Sequence, residues 1–166
     1  MPALSPVLPA GGPDDQEVSP DYPARLRAYG EFLERISPER IDELRALAAP
    51  DLRFKDPFNE VQGIEQVQRV FHKMFEDASD IRFNVLHMAC AGPVGYLRWE
   101  MSLRPTSRLV SGQTWRFSGV TEARFDDQGR LAEHVDHWDA GAQFYERLPL
   151  LGRLLRLIRR PLAVRD

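Results

Sequence analysis

Hydrophobic positions along the chain recur first at helical spacing and then at strand spacing. Leu26, Tyr29, Phe32, Leu33 and Ile36 lie three and four residues apart, which predicts one apolar face of a first helix. Ser37, Pro38, Glu39 and Arg40 read as an N-cap, a proline in the first turn and a fresh helical start. "IDELRALAA" continues that second helix as far as Pro50. A short strand over 51–57 places Leu52, Phe54 and Asp56 on one face, with Arg53 and Lys55 on the other. Gly63 opens a third helix whose apolar stripe is Ile64, Val67, Val70, Phe71, Met74 and Phe75.

From residue 80 the period becomes two. Ile81, Phe83 and Val85 alternate with Arg82 and Asn84, and Leu97, Trp99, Met101 and Leu103 with Arg98, Glu100 and Ser102. Trp115, Phe117, Gly119, Thr121, Ala123 and Phe125 alternate in the same way with Arg116, Ser118, Glu122 and Arg124. "DDQG" at 126–129 is a hairpin turn into "RLAEHVDHW". Helices first and hairpin strands afterwards predict an α+β domain. A curved antiparallel sheet, covered on one face, would wrap the N-terminal helices as a cone with an internal pocket.

Composition changes this picture little. The chain has 166 residues, 43% of them hydrophobic, as in one ordinary globular domain. A net charge of −3 argues against a nucleic-acid partner. One cysteine, Cys90, excludes an internal disulfide framework. Residues 1–20 read as a disordered leader rather than a signal peptide, 21–147 as the domain and 148–166 as a basic amphipathic tail. A cytoplasmic protein is the resulting expectation, since no apolar run is long enough to span a membrane.

The order helix–helix–strand–helix–sheet, the pair Asp56-Pro57 before a glycine-opened helix, and the run from Asp126 to Asp139 carry a resemblance. Together they resemble the nuclear-transport-factor-2-like superfamily, in its SnoaL-like (polyketide cyclase and ketosteroid isomerase-like) branch. The resemblance implies a role for particular residues. The ketosteroid isomerase base would fall on Asp56 and the oxyanion tyrosine on Tyr29. The second oxyanion acid falls on Thr121, and the last-strand pocket positions fall on His134, Asp136 and Trp138. A likeness to limonene-epoxide hydrolases instead matches Arg98-x-Glu100 and Asp136, although strand parity sets Arg98 and Glu100 opposite Trp99.

Each candidate has two readings. Asp56 is either a general base in an apolar setting or the cap of its own turn. His134 and Asp136, two apart on one strand face, are either an acid–base pair or a structural hydrogen bond. Phe54, Trp99, Met101, Trp115, Phe117, Thr121 and Trp138 line the inferred inner side, as plain core or as the wall of a ligand cleft. The His134, Asp136, His137 and Asp139 cluster is split between two faces, so no metal is expected, and Asp139 reads as a helix N-cap. No phosphate-binding loop is present, so no cofactor is expected. The expected partner is a small hydrophobic molecule, handled by a cofactor-independent isomerase or cyclase or by a non-catalytic binding module. The tail could lie on a membrane surface, close the cone or pack on a second subunit of a homodimer.

Overall fold

The computed structural model describes residues 20–107 and 112–162. The expected leader therefore lies, but for Pro20, outside the described residues. Helix α1 spans Tyr22–Glu34. Asp21 caps it through a bond from the Ala24 N–H at 3.0 Å, and Pro23 occupies its first turn. Its buried positions, Leu26, Tyr29, Phe32 and Leu33, are those of the sequence stripe. Helix α3 (Ile64–Asp77) starts at Gly63, whose φ of 94° favours glycine.

Six strands form one curved, unclosed sheet: β1 (Ala48–Lys55), β2 (Glu60–Gln62), β3 (Ala78–Ala91), β4 (Val94–Pro105), β5 (Trp115–Phe125) and β6 (Leu131–His137). Their order is β2-β1-β6-β5-β4-β3, with β1 and β6 parallel and the other neighbours antiparallel. Helix α1 packs across β3 and β4, and α3 across β1. The core fills the space between, with Leu26, Leu44, Leu52, Leu97 and Leu131 all nearly or fully inaccessible. The predicted α+β architecture is the observed one.

The region 37–50 departs from its prediction. Ser37 caps no helix: its hydroxyl donates to Glu39, and the Arg40 N–H returns to the Ser37 carbonyl as a turn. A 3-10 turn (Ile41–Glu43) and the one-turn helix α2 (Leu44–Leu47) follow. Strand β1 then begins at Ala48, and Pro50 sits where its register with β6 slips, a position needing no ladder donor. Tertiary pairing of Ala48 with Leu131 outweighs the local helical pattern. Strand β1 also ends at Lys55, one residue short of Asp56.

Strand β6 carries a second irregularity. Arg124 pairs with Glu133 but Phe125 with Leu131, so Ala132 is an extra residue. This bulge changes the parity and lets Leu131 and His134 both point inward, where both are buried.

Two segments complete the chain. Helix α4 (Ala140–Gln143) is capped by Asp139, which accepts from the Ala142 N–H at 2.9 Å. A 3-10 turn (Tyr145–Arg147) leads into helix α5 (Leu151–Arg159). No helix among the described residues is long and apolar enough to cross a membrane.

Candidate functional site

A line of polar groups crosses the apolar core from α1 to the end of β6. The Tyr29 hydroxyl lies 2.6 Å from His134 Nδ1. His134 Nε2 lies 3.0 Å from Asp136 Oδ1 on the same strand face. The Thr121 hydroxyl donates to that oxygen at 2.5 Å, and Trp99 Nε1–H donates to Thr121 Oγ1 at 2.9 Å. Tyr29, Trp99, Thr121 and His134 are buried, and Asp136 alone reaches solvent, with 17% of its side chain exposed.

The directions of these bonds follow from donor counting. Trp99 can only donate, and a carboxylate can only accept, so Thr121 must pass its own proton to Asp136. Tyr29 has one proton and a single neighbour among these groups. If it donates to Nδ1, the His134 proton sits on Nε2, toward the carboxylate; the opposite tautomer would aim a lone pair at Asp136. His134 Nε2 makes no in-line hydrogen bond along its 3.0 Å line to Oδ1, so the two are in polar contact only. The Nε2–H is a buried donor without an in-line acceptor. Burial, and then the negative charge of Asp136, hold the Tyr29 hydroxyl well above the ordinary value of 10.0. Tyr29 is therefore a proton donor at neutral pH and no base.

Packing fixes the histidine ring. Phe54 stacks on it at 4.6 Å between centroids, and Tyr29 meets it edge-on at 5.8 Å. Gly119, opposite Trp99 across β4 and β5, permits the indole to lie there. A Cβ at this glycine would come within 2.7 Å of the Trp99 ring and 2.8 Å of the His137 carbonyl.

Asp56 is outside this line. Its Oδ1 accepts from the Phe58 and Asn59 N–H groups at 2.7 and 2.6 Å, and the Asn59 amide reaches both of its oxygens at 3.1 Å. These are the bonds of an Asx turn, and they commit the carboxylate to its own loop. Of the residues the resemblance singled out, the fold thus brings together Tyr29, Thr121, His134 and Asp136. Trp138 lies just past β6 against Phe117, with ring centroids 5.4 Å apart. Thr121, where the resemblance would put the second oxyanion acid, donates to Asp136 with its hydroxyl. Arg98 and Glu100 are exposed, across the sheet from buried Trp99.

The periodicity reading missed what covers the mouth of the cone. Beyond His137, β6 no longer pairs with β5, and the segment 139–148 takes its place. The Gln143 amide bonds the Ser118 N–H and carbonyl at 2.6 and 3.0 Å, as a neighbouring strand would. Arg147 donates to the Arg116 carbonyl at 2.8 Å, and its guanidinium lies 5.4 Å from the Trp115 ring centre and 5.5 Å from that of Phe117. Phe58 meets Trp138 and Phe144 at 5.5 and 5.0 Å, an aromatic cluster just past the end of β6. Helical or strand periodicity carries no signal for such a strap; its only sequence marks are the Asp139 cap and the Phe144-Tyr145 pair.

Met101 is half-buried and borders an open groove of about 400 Å³ that also touches Phe117 and Gln143. A second groove, of about 500 Å³, lies under the start of α5. Neither groove is lined by Tyr29, Asp56, His134 or Asp136. Side chains from α1, α3 and the inner face of the sheet pack into one apolar cluster. Among the described residues no group of three or more His, Cys, Asp and Glu could hold a metal ion.

The fold is shared with many solved structures. A protein assigned as a SnoaL-like polyketide cyclase from Jannaschia sp. CCS1 superposes with a TM-score of 0.64 at 18% identity, covering 79% of this chain and 94% of its own. A Catenulispora acidiphila protein with a ketosteroid isomerase-like fold, solved with trimethylamine, gives 0.64 at 13% identity, with 76% and 95% covered. An LEH-like epoxide hydrolase from M. tuberculosis gives 0.61 at 18% identity, with 85% and 99% covered. The sequence has no match among curated proteins. At these identities the structures show the common NTF2-like fold alone. Residues 29–134, more than half of the chain, match the SnoaL-like domain, and the protein therefore belongs to the SnoaL-like family.

Proposed function

We propose that the protein binds a small apolar carbonyl compound at the mouth of its cone and moves a proton on it without a cofactor, with Asp136 as the base. One observation carries this reading. A largely apolar core holds the polar side chains Tyr29, His134 and Asp136 in a line, hydrogen-bonded from Tyr29 to His134 and in 3.0 Å contact from His134 to Asp136, and the line ends at the single member that reaches solvent. Buried polar groups cost stability unless they are satisfied, and a core needing only to be filled is served better by apolar side chains. His134 also keeps a buried N–H without an in-line acceptor, the kind of group a bound molecule satisfies.

The chemistry follows from the atoms. Thr121 and His134 both engage Oδ1 of Asp136, so Oδ2 is the oxygen turned to a ligand. A carbonyl compound seated there would lose an α-proton to Oδ2, and the C–H electron pair would pass into an enolate. The Nε2–H of His134 would stabilise the oxygen charge, backed by the Tyr29 hydroxyl on Nδ1. Return of the proton from Oδ2 to a different carbon of a conjugated enolate completes an isomerisation; attack of the enolate carbon on a second carbonyl forms the C–C bond of a cyclisation, and the proton on Oδ2 passes to the resulting alkoxide. Asp56, where the resemblance to ketosteroid isomerases would put the base, is reserved for its turn.

The tied Asp56 and the packed apolar cluster favour a second reading, a non-catalytic binding module. Deuterium exchange α to the carbonyl, followed by NMR over a panel of apolar cyclic ketones, separates the two. The wild-type protein is expected to accelerate exchange, and Asp136→Asn to lose about a hundredfold of that rate, the usual worth of a positioned base. Asp56→Asn should keep the rate within a few-fold and lose only stability. Exchange that no member of the panel shows, or that survives Asp136→Asn, would overturn the proposal.

A further inference from the structure

Helix α5 (Leu151–Arg159) is mounted through Gly152, its one buried residue, with Arg156 and Arg159 reaching Glu146 beside it. Gly152, Arg156 and Arg159 fall on one stripe at i, i+4 and i+7, and this stripe faces the turn Tyr145–Arg147. Gly152 is buried so tightly that a Cβ would overlap the Glu146 carbonyl. Arg156 donates to that carbonyl at 2.8 Å and Arg159 to the Glu146 carboxylate at 2.5 Å. The apolar side consequently points outward: Leu154, Leu157 and Ile158 are 53%, 66% and 55% exposed, and Leu150 and Leu162 continue the surface at either end. Soluble helices bury such a stripe.

We infer that α5 is a docking element for an anionic lipid bilayer, lying in the interface with Leu154, Leu157 and Ile158 in the acyl boundary. Charge selects this occupant over the others. Residues 148–162 contain Arg153, Arg156, Arg159 and Arg160 and no acid, in a chain whose net charge is −3. Arg156 and Arg159 are engaged by Glu146, whereas Arg153 and Arg160 flank the apolar stripe, and Arg147 and Arg153 border the adjoining groove. An apolar stripe edged by arginines suits phosphate headgroups above and acyl chains below. A second copy docked symmetrically on the same face would set these arginines against their own counterparts, an unfavourable like-charge contact. The inference stands on α5 alone and does not depend on chemistry at Asp136.

Vesicle co-sedimentation of the full-length protein tests it. Binding to phosphatidylcholine vesicles containing phosphatidylglycerol is expected to be at least tenfold tighter than to phosphatidylcholine alone, and to weaken as salt rises. The triple variant Leu154→Gln/Leu157→Gln/Ile158→Gln should lose binding at least tenfold on the anionic vesicles, with its unfolding temperature unchanged because all three sites are exposed. Arg153→Glu/Arg160→Glu, which leaves the Glu146 contacts in place, should abolish the preference for anionic vesicles. Absence of vesicle binding, or binding that ignores both variants, would overturn the inference. So would a wild-type dimer in light scattering that the triple variant dissociates while vesicle binding is absent, since α5 would then be a protein interface.

Discussion

Trp99→Ala is expected to lower the unfolding free energy by about 3–5 kcal/mol, the usual cost of truncating a buried large aromatic to alanine. The indole is 2% exposed, packs against Phe83 with centroids 5.2 Å apart and lies over Gly119. Its loss leaves a cavity between β4 and β5 and takes from Thr121 the donor that orders its hydroxyl. Domains of this kind are stable by only about 5–15 kcal/mol, so the variant should approach the limit of folding. Trp99→Phe keeps most of the volume and loses the N–H, and should cost nearer 1–2 kcal/mol. Urea denaturation measures both, with an unchanged m-value as the control. A loss below about 1 kcal/mol for Trp99→Ala would mean that the indole does not fill the core as described.

The second large effect concerns the Tyr29–His134 bond. His134→Ala removes the ring stacked on Phe54 and strands the Tyr29 hydroxyl in the core, and is expected to cost about 3 kcal/mol or more. Tyr29→Phe strands His134 Nδ1 and should cost about 1–3 kcal/mol. The double variant should cost less than the sum by about 1 kcal/mol, because no partner remains to be orphaned. Strict additivity would show that the two groups do not interact. The alkaline limb offers a linked readout. Tyr29 keeps its proton in the folded protein above the ordinary value of 10.0, while the unfolded chain releases it near that value. Its contribution to stability is therefore complete below about pH 10 and is lost as pH rises toward the folded value, by up to about 1.4 kcal/mol per pH unit. Tyr29→Phe should make the fall in stability above pH 10 shallower.

Much of the architecture was legible because the sheet faces are strongly patterned. Leu97 and Trp99 against Arg98 and Glu100, and Trp115 and Phe117 against Arg116 and Ser118, fix which side of β4 and β5 is buried. The Asp139 cap was readable from its position before "AGAQ". The segment 37–50 was not, because "IDELRALAA" is a good helical sequence that long-range pairing of β1 with β6 overrides. Parity put Asp56 on the inner face by assuming that β1 ran past it. The Asx turn with Asn59 ends the strand first and takes the carboxylate, and no alternation pattern reports that competition. The pairing of His134 with Asp136 was visible from their i, i+2 spacing, but the partners Tyr29 and Thr121 arrive from other elements. The strap's contacts run from side chains to backbone, through Gln143 and Arg147, and leave no hydrophobic period to read. In the tail the amphipathic pattern was plain, whereas the side on which α5 docks depends on the bonds of Arg156 and Arg159 to Glu146.

The central claim is the donor order in the core: Tyr29 donates to His134 Nδ1, which leaves the His134 proton on Nε2, the nitrogen nearest Asp136, and Trp99 donates to Thr121, which donates to Asp136. Nitrogen NMR of the His134 ring, taken at pH 8 where a histidine is ordinarily neutral, tests it most directly. The account predicts a proton on Nε2 and an unprotonated Nδ1 whose signal shifts when Tyr29→Phe removes its donor. A proton on Nδ1 would make Tyr29 the acceptor, turn a lone pair toward Asp136, and contradict the account.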